Sequence, residues 1–212
     1  MRLGSAERAA LVAGARGLDL ELSGAQLDQL DTYMALVGRW SATTSLISCR
    51  SATEMVDRHL LDSLTVVAHR AGAATAVDLG SGAGLPGVPL AVACPDLRIT
   101  LLEPRRRRAS FLRTVRRELR LANVTIREAR AEDPIASPND VVDLALCRAV
   151  WSDETRLLVA GARWVRPGGR LLWMRGASEL EVGDSAEGPF RRRRFIPTVE
   201  SRGIAVYERL SA

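Results

Sequence analysis

Lysine is missing from the chain altogether: every one of its basic residues is an arginine. An arginine standing where a related protein carries lysine therefore reads as coding preference rather than altered chemistry. Aromatic residues make up only 4% of the chain, which leaves little for stacking unpaired bases. The three cysteines, Cys49, Cys94 and Cys147, are far apart and show no C-x-x-C spacing. That excludes a disulfide framework and a cysteine-based zinc site and fits a reducing compartment, so no metal is expected. No apolar run approaches the roughly 20 residues of a membrane span. Nor does the N-terminus carry a long apolar stretch before a small-residue cleavage site. A cytoplasmic protein with no membrane partner is expected.

The residues that are present suit one α/β domain with a modest appendage: 212 residues, 47% hydrophobic and 26% charged. A formal charge of +5 serves either solubility or a polyanionic partner, and its distribution has to decide between them.

The pattern divides near residue 74. Before it, residues 10–18, 24–40 and 52–70 carry apolar positions at three-to-four spacing, as amphipathic helices do. Ser23 and Ser51 stand as N-caps for helices over 25–40 and 53–69. After it, short β-rich runs alternate with helical stretches. Strands are expected at Thr75 to Leu79, Arg98 to Leu102, 124–130, 141–149 and 168–176, with helices at 85–94, 106–121 and from about Ser152 to Val165. That alternation calls for a parallel sheet with helices on both faces. Two final runs, 190–199 and 203–210, read as an antiparallel hairpin with Gly203 in its turn. The expected division is a helical extension over 1–73 and an α/β core over 74–212.

In such sheets ligands bind beyond the carboxyl ends of the strands. The first strand runs straight into Gly80-Ser81-Gly82-Ala83-Gly84, where glycine permits a sharp turn and close approach of a ligand. Asp78 can orient this loop or accept from an amine. The second strand ends in Glu103, 19 residues beyond Gly84, a position from which a carboxylate accepts from a ribose diol. The glycine spacing, with Pro86 and Pro89 soon after, is not that of a pyrophosphate loop, and no P-loop lysine is present. D-x-G-x-G-x-G with an acid at the end of the next strand points to S-adenosylmethionine.

Several blocks carry a family resemblance over residues 20–176: Arg39-Trp40, Arg58-His59-Leu60-Leu61-Asp62-Ser63, Asp78 through Leu90, Leu101-Leu102-Glu103, Arg107-Arg108, Phe111-Leu112, Asn123, Arg130-Ala131-Glu132 and Cys147-Arg148-Ala149. In these the chain resembles the small-subunit ribosomal RNA guanine-N7 methyltransferase G family, also called the glucose-inhibited division protein B family. The G-x-P-G-x-P-L extension and the H-x-x-D-S helix carry most of the specificity. The resemblance implies a class I, Rossmann-like methyltransferase with a mostly parallel seven-stranded sheet whose last strand is antiparallel. It implies methyl transfer from S-adenosylmethionine to N7 of a guanine in 16S rRNA of the small ribosomal subunit, by a monomer. By resemblance, Asp78, Gly80, Ser81, Gly82, Gly84, Leu85, Glu103 and Pro104 hold the cofactor, and Ala131 with Glu132 borders its adenine. Arg148 sits beside the methyl group, and His59, Asp62 and Ser63 belong to a lid over its methionine end. Arg148, His59 and Asp62 are thus the candidate catalytic residues.

The residues on their own agree about Arg148, since a charged residue ending a buried strand belongs in the cleft. The bland alternative is an ion pair with a nearby carboxylate. His59 reads equally well as a packed or capping histidine. The family's W-N-x-x-x-N-L-T is altered here: Ser41 follows Trp40, and Ser45-Leu46-Ile47 replaces N-L-T, while Arg175 stands where lysine is usual. The missing asparagines keep two alternatives open, a paralogue methylating a small molecule or another RNA, and a cofactor-binding protein without rRNA activity. Arginine runs at 105–108, at 113, 116, 117 and 120, and at 191–194 suit RNA phosphates or a solvated face.

Overall fold

The computed structural model describes residues 1–135, 137–148, 153–176, 186–198 and 202–211. Three helical segments come first: α1 (Ser5–Arg16), α2 (Gly24–Ser41) and a longer run from Ala52 to His69. Ser23 caps α2 through a reciprocal capping box with Gln26, and the Ser51 hydroxyl accepts from the Glu54 amide at 3.0 Å. The third run is not one uniform helix. It opens as α3 (Ala52–Met55), widens into a π turn over Val56–Leu61, returns as α4 (Asp62–Leu64) and tightens into a 3₁₀ turn over Thr65–His69. Period alone does not reveal such a π turn, which recurs at functional sites.

Then follow β1 (Thr75–Leu79), α5 (Gly87–Ala93), β2 (Arg98–Leu102), α6 (Arg106–Glu118), β3 (Val124–Arg127), β4 (Val142–Arg148), α7 (Glu154–Trp164), β5 (Val165–Gly176), β6 (Ala186–Glu187), β7 (Phe190–Pro197) and β8 (Arg202–Arg209). The expected start of α7 at Ser152, and Ala149, lie outside the described residues. The sheet order is β3-β2-β1-β4-β5-β8-β7-β6. The first five strands in that order are parallel, and β8 runs antiparallel between β5 and β7. The last strand is antiparallel as expected, and the two-residue β6 adds an eighth strand at the edge.

Alternation along the central strands sends side chains to two cores. Ala76, Leu144, Leu146, Leu172 and Met174 join α2, α5 and α6 on one face, whereas Val77, Leu79, Ala145, Leu171 and Trp173 pack with α7 on the other. Gly203 is not in the hairpin turn. It sits in β8 opposite Arg175 and Pro197, where a Cβ would run into the Phe195 ring. The arginine run in β7 does not alternate strictly, because the register shifts between Arg192 and Arg194.

Three of the resembling residues tie helices to this frame. Asn123 donates to the carbonyls of Ala91, Cys94 and Leu97, and Trp40 meets Phe111 edge-on at 5.6 Å. At the amino ends of the strands Asp143 accepts from the amides of Ala74 and Thr75 and from the Thr75 hydroxyl, each at 2.9 Å, and from Arg166 at 2.7 Å. Its burial alone would raise the carboxyl. Arg166 and these bonds outweigh that and hold it at about 2. No helix among the described residues is long and apolar enough to cross a membrane.

Candidate active site

At the carboxyl ends of β1, β2, β4 and β5 lies a cavity of about 990 Å³, at the upper end of the range for a small-molecule site. Its floor is the glycine loop. Ser81 donates its amide to the Leu102 carbonyl at 2.8 Å and its hydroxyl to the Asp78 carbonyl at 3.0 Å, so the loop is stitched to the ends of both strands. Gly84 has φ +91°, and a Cβ there would press on Val88 at 2.6 Å. Gly87 answers a different constraint: its amide donates to Asp78 Oδ2 at 3.2 Å, and a Cβ would strike Leu101 and that same oxygen. This contact explains the second glycine of the G-x-P-G-x-P-L block. From above, the Tyr33 hydroxyl on α2 donates to the Ala83 carbonyl at 2.8 Å.

Of the sequence-derived residues, Gly80, Ser81, Gly82, Leu85, Glu103, Pro104, His59, Asp62 and Arg148 line the cavity. Asp78 lies beneath the loop and Gly84 ends it, and neither is in the lining. Ala131 and Glu132 are not in the lining either: the Ala131 carbonyl accepts from Trp164 Nε1 at 2.8 Å, and Glu132 pairs with Arg156 at 3.2 Å.

Glu103, 3% exposed, accepts from the Gly82 amide on Oε2 (2.9 Å) and from the Arg105 amide on Oε1 (2.8 Å). Each carboxylate oxygen keeps a further lone pair for a diol on the cavity side. Asp78 Oδ1 is buried without a hydrogen-bond partner among the described residues, and burial pushes the carboxyl up to about 7. The open loop, the fixed carboxylate and the cavity's size together fit an adenosine cofactor carrying an amino-acid tail.

The opposite wall is a charged knot. Arg148, the last residue of β4, puts Nη2 3.2 Å from Asp62 Oδ2, 2.8 Å from the Arg58 carbonyl and 3.1 Å from His59 Nδ1. Arg202 of β8 reaches the same carboxylate oxygen at 3.0 Å and the Arg58 carbonyl at 3.3 Å, and the Thr198 hydroxyl meets Asp62 Oδ1 at 3.4 Å. The π turn carries Arg58 and His59, and Asp62 follows directly after it, so both backbone and side chains face the strand ends. Burial, reinforced by Arg148 and Arg202, pushes His59 down to about 4. The imidazole is therefore neutral, Nδ1 accepts from the guanidinium, and its proton is on Nε2. Burial also pushes the Arg148 guanidinium down, against the pull of Asp62. Its Nη1 is buried and has no partner among the described residues. The ion pair foreseen as the bland alternative thus exists, yet it leaves one nitrogen of Arg148 uncommitted.

Sequence reading missed Tyr33, Thr198 and Arg202, which lie 50 to 144 residues from their partners. The altered motif does reach the site: Leu46, Ile47 and Ser48 line the cavity, the Ser45 carbonyl accepts from Arg108 Nη2 at 2.6 Å, and Ser41 Oγ is buried without a partner among the described residues. Arg175, also in the lining, stacks on Trp173 with its guanidinium 3.9 Å from the ring centroid.

Among solved structures the chain resembles an MtNAS variant in complex with S-adenosylmethionine, with a TM-score of 0.58 at 15% identity, covering 86% of this chain and 72% of that one. It also resembles a SAM-dependent methyltransferase from Aquifex aeolicus, with a TM-score of 0.50 at 18% identity, covering 65% and 82%. These share the fold. Two relatives, each named Ribosomal RNA small subunit methyltransferase G, are far closer in sequence. That of Burkholderia lata is 38% identical over 84% of this chain and 80% of its own length. That of Burkholderia thailandensis is 34% identical over 92% and 86%. The description "GidB: rRNA small subunit methyltransferase G" matches residues 26–188. With its S-adenosylmethionine-type site and this match over most of its length, the chain belongs to the rRNA small subunit methyltransferase G (GidB) family of S-adenosylmethionine-dependent methyltransferases.

Proposed function

We propose that this enzyme methylates N7 of a guanine in 16S rRNA, taking the small ribosomal subunit as substrate and working as a cytoplasmic monomer. The observation that carries the reading is the cavity itself: the glycine loop and Glu103 share its lining with Arg148. S-adenosylmethionine, when bound, supplies a methyl group on a sulfonium. Gly80, Ser81, Gly82 and Leu85 would line it, Glu103 would take its ribose, and Asp78 would fix the loop beneath it.

Guanine N7 has a free lone pair and no proton to lose, so the chain needs no general base. Neutral His59 and the ion-paired Asp62 suit that requirement, because neither is asked to move a proton. The chain's contribution is alignment, bringing the reacting atoms to within about 3–3.5 Å. Arg148, which lines the cavity, is suited to hold guanine O6 or a neighbouring phosphate, leaving N7 free. Residues 1–73 act as a lid over this site through the Arg58, His59 and Asp62 contacts.

The test offers labelled S-adenosylmethionine with unmethylated small subunits and with free 16S rRNA side by side. Label recovered as N7-methylguanine supports the reading. Label on neither RNA substrate, from protein that binds the cofactor, overturns it in favour of a diverged paralogue. Arg148→Ala is expected to cut turnover on the order of 10²-fold while cofactor affinity changes little.

A further inference from the structure

The far end of α6 carries a second basic feature that methyl transfer does not use. Arg113, Arg116, Arg117 and Arg120, with Leu121 and Ala122, line a concavity of about 320 Å³. The helix has 13 residues, so this end lies roughly 20 Å from the end where Arg105 and Arg108 line the large cavity. Arg113 is engaged by Glu128 at 3.0 Å and Arg117 by its neighbour Glu118 at 2.9 Å. Among the described residues, Arg116 and Arg120 have no acidic partner within ion-pair distance.

Cations at a helix C-terminus offset the helix dipole, and that accounts for Arg116 and Arg117. It does not account for Arg120. The Leu121 amide returns to the Arg116 carbonyl at 3.0 Å and the Arg120 amide to the Arg117 carbonyl at 3.2 Å, which closes the helix in a Schellman turn. Arg120 occupies the left-handed slot of that turn, with φ +54°, where glycine is the unstrained choice. A guanidinium is kept there against the backbone's preference, beside another arginine without an acid to neutralise it.

We infer that these four arginines form a second docking site for the phosphate backbone of the rRNA substrate, remote from the transfer site; the inference rests on the rRNA reading above. The lining offers only guanidinium donors beside Leu121 and Ala122, with no aromatic side chain for base stacking, which suits the phosphate oxygens. It adds substrate affinity and takes no part in the methyl-transfer step.

The test is the Arg116→Gln/Arg120→Gly double variant. Glutamine suits the last helical turn and glycine relieves the left-handed strain, so thermal stability should be unchanged or higher. The control, Arg16→Gln/Arg163→Gln, removes two exposed arginines from α1 and α7. Binding of 16S rRNA and KM for unmethylated small subunits are measured against salt concentration. Losing two phosphate contacts should flatten the log–log salt slope by about 1.8, using ~0.9 per contact for a duplex. The wild-type affinity advantage over the variant should then shrink about tenfold between 50 and 200 mM salt, with the control following wild type. A double variant with wild-type KM and slope, or a control that loses as much, overturns the inference. A wild-type enzyme that labels neither small subunits nor 16S rRNA overturns the rRNA reading, and this inference with it.

Discussion

Asp62→Ala removes the carboxylate that both guanidinium groups share in the knot between β4, β8 and the π turn. Asp62 is 2% exposed and takes two guanidinium groups on a single oxygen, Arg202 at 3.0 Å and Arg148 at 3.2 Å. Without it, Arg148, with 10% of its side chain exposed, keeps only the Arg58 carbonyl and His59 Nδ1, and faces a second cation. Deleting one partner of a buried ion pair typically costs about 3–5 kcal/mol. Arg202 is 28% exposed and can turn towards water, so the lower end, about 3 kcal/mol, is expected here. For a chain of this size 1 kcal/mol moves Tm by about 2–4 °C, giving a fall of roughly 6–12 °C by calorimetry. Asp62→Asn keeps the shape and an acceptor and should lose roughly half as much. An Asp62→Ala protein melting within about 2 °C of wild type would refute the argument, because both guanidinium groups would then be solvated without the carboxylate.

Three further outcomes follow from the same geometry. Asp78 is raised to about 7 in the fold, so between pH ~4 and ~7 the native state binds the extra proton and this group lowers stability by about 1.4 kcal/mol per pH unit as pH rises. His59, depressed to about 4, has the opposite sign: its contribution is present above its unfolded pKa and is lost as pH falls towards 4. Because the two oppose each other over most of that window, urea titrations of Asp78→Asn and His59→Gln should each expose a slope that wild type conceals; parallel pH profiles for all three proteins would show the shifts to be absent. Tyr33→Phe strips the buried donor from the Ala83 carbonyl and should cost about 1–3 kcal/mol and weaken cofactor binding by calorimetric titration, whereas wild-type values would mean the loop holds itself. Gly87→Ala forces a methyl against Leu101 and Asp78 and should cost at least 1–3 kcal/mol in denaturant unfolding; a neutral change would show that the helix start can shift freely.

The glycine loop, Glu103 and the strand–helix alternation were legible because each depends on neighbours in sequence: a turn that only small residues permit, an acid ending a strand, a period of two or 3.6. The knot was half legible. Arg148 announced itself as a charge ending an apolar strand, and Asp62 as part of a motif, but the contact of Asp62 with Arg202 spans 140 residues and leaves no local trace. The π turn was illegible for another reason, since one extra residue in a helical turn barely disturbs the apolar spacing of residues 52–70. Gly203 read as a turn residue because glycine usually is one, whereas here a tertiary contact, the Phe195 ring, dictates it.

The position of β8 between β5 and β7 bears on how the chain reaches this state during synthesis. The β1-β2-β3 unit can pair as soon as it is made, while β5 exposes one edge, with Leu171, Leu172 and Trp173 along it, until residues 202–209 are synthesised. Until then an apolar strand stands open to other chains, the exposure that makes partly folded sheets aggregate. Arg202 arrives on the strand that closes this edge, so completion of the sheet and completion of the Asp62 contacts are a single late event. A nascent chain stalled near residue 176 would be sticky and without a finished site at the same time.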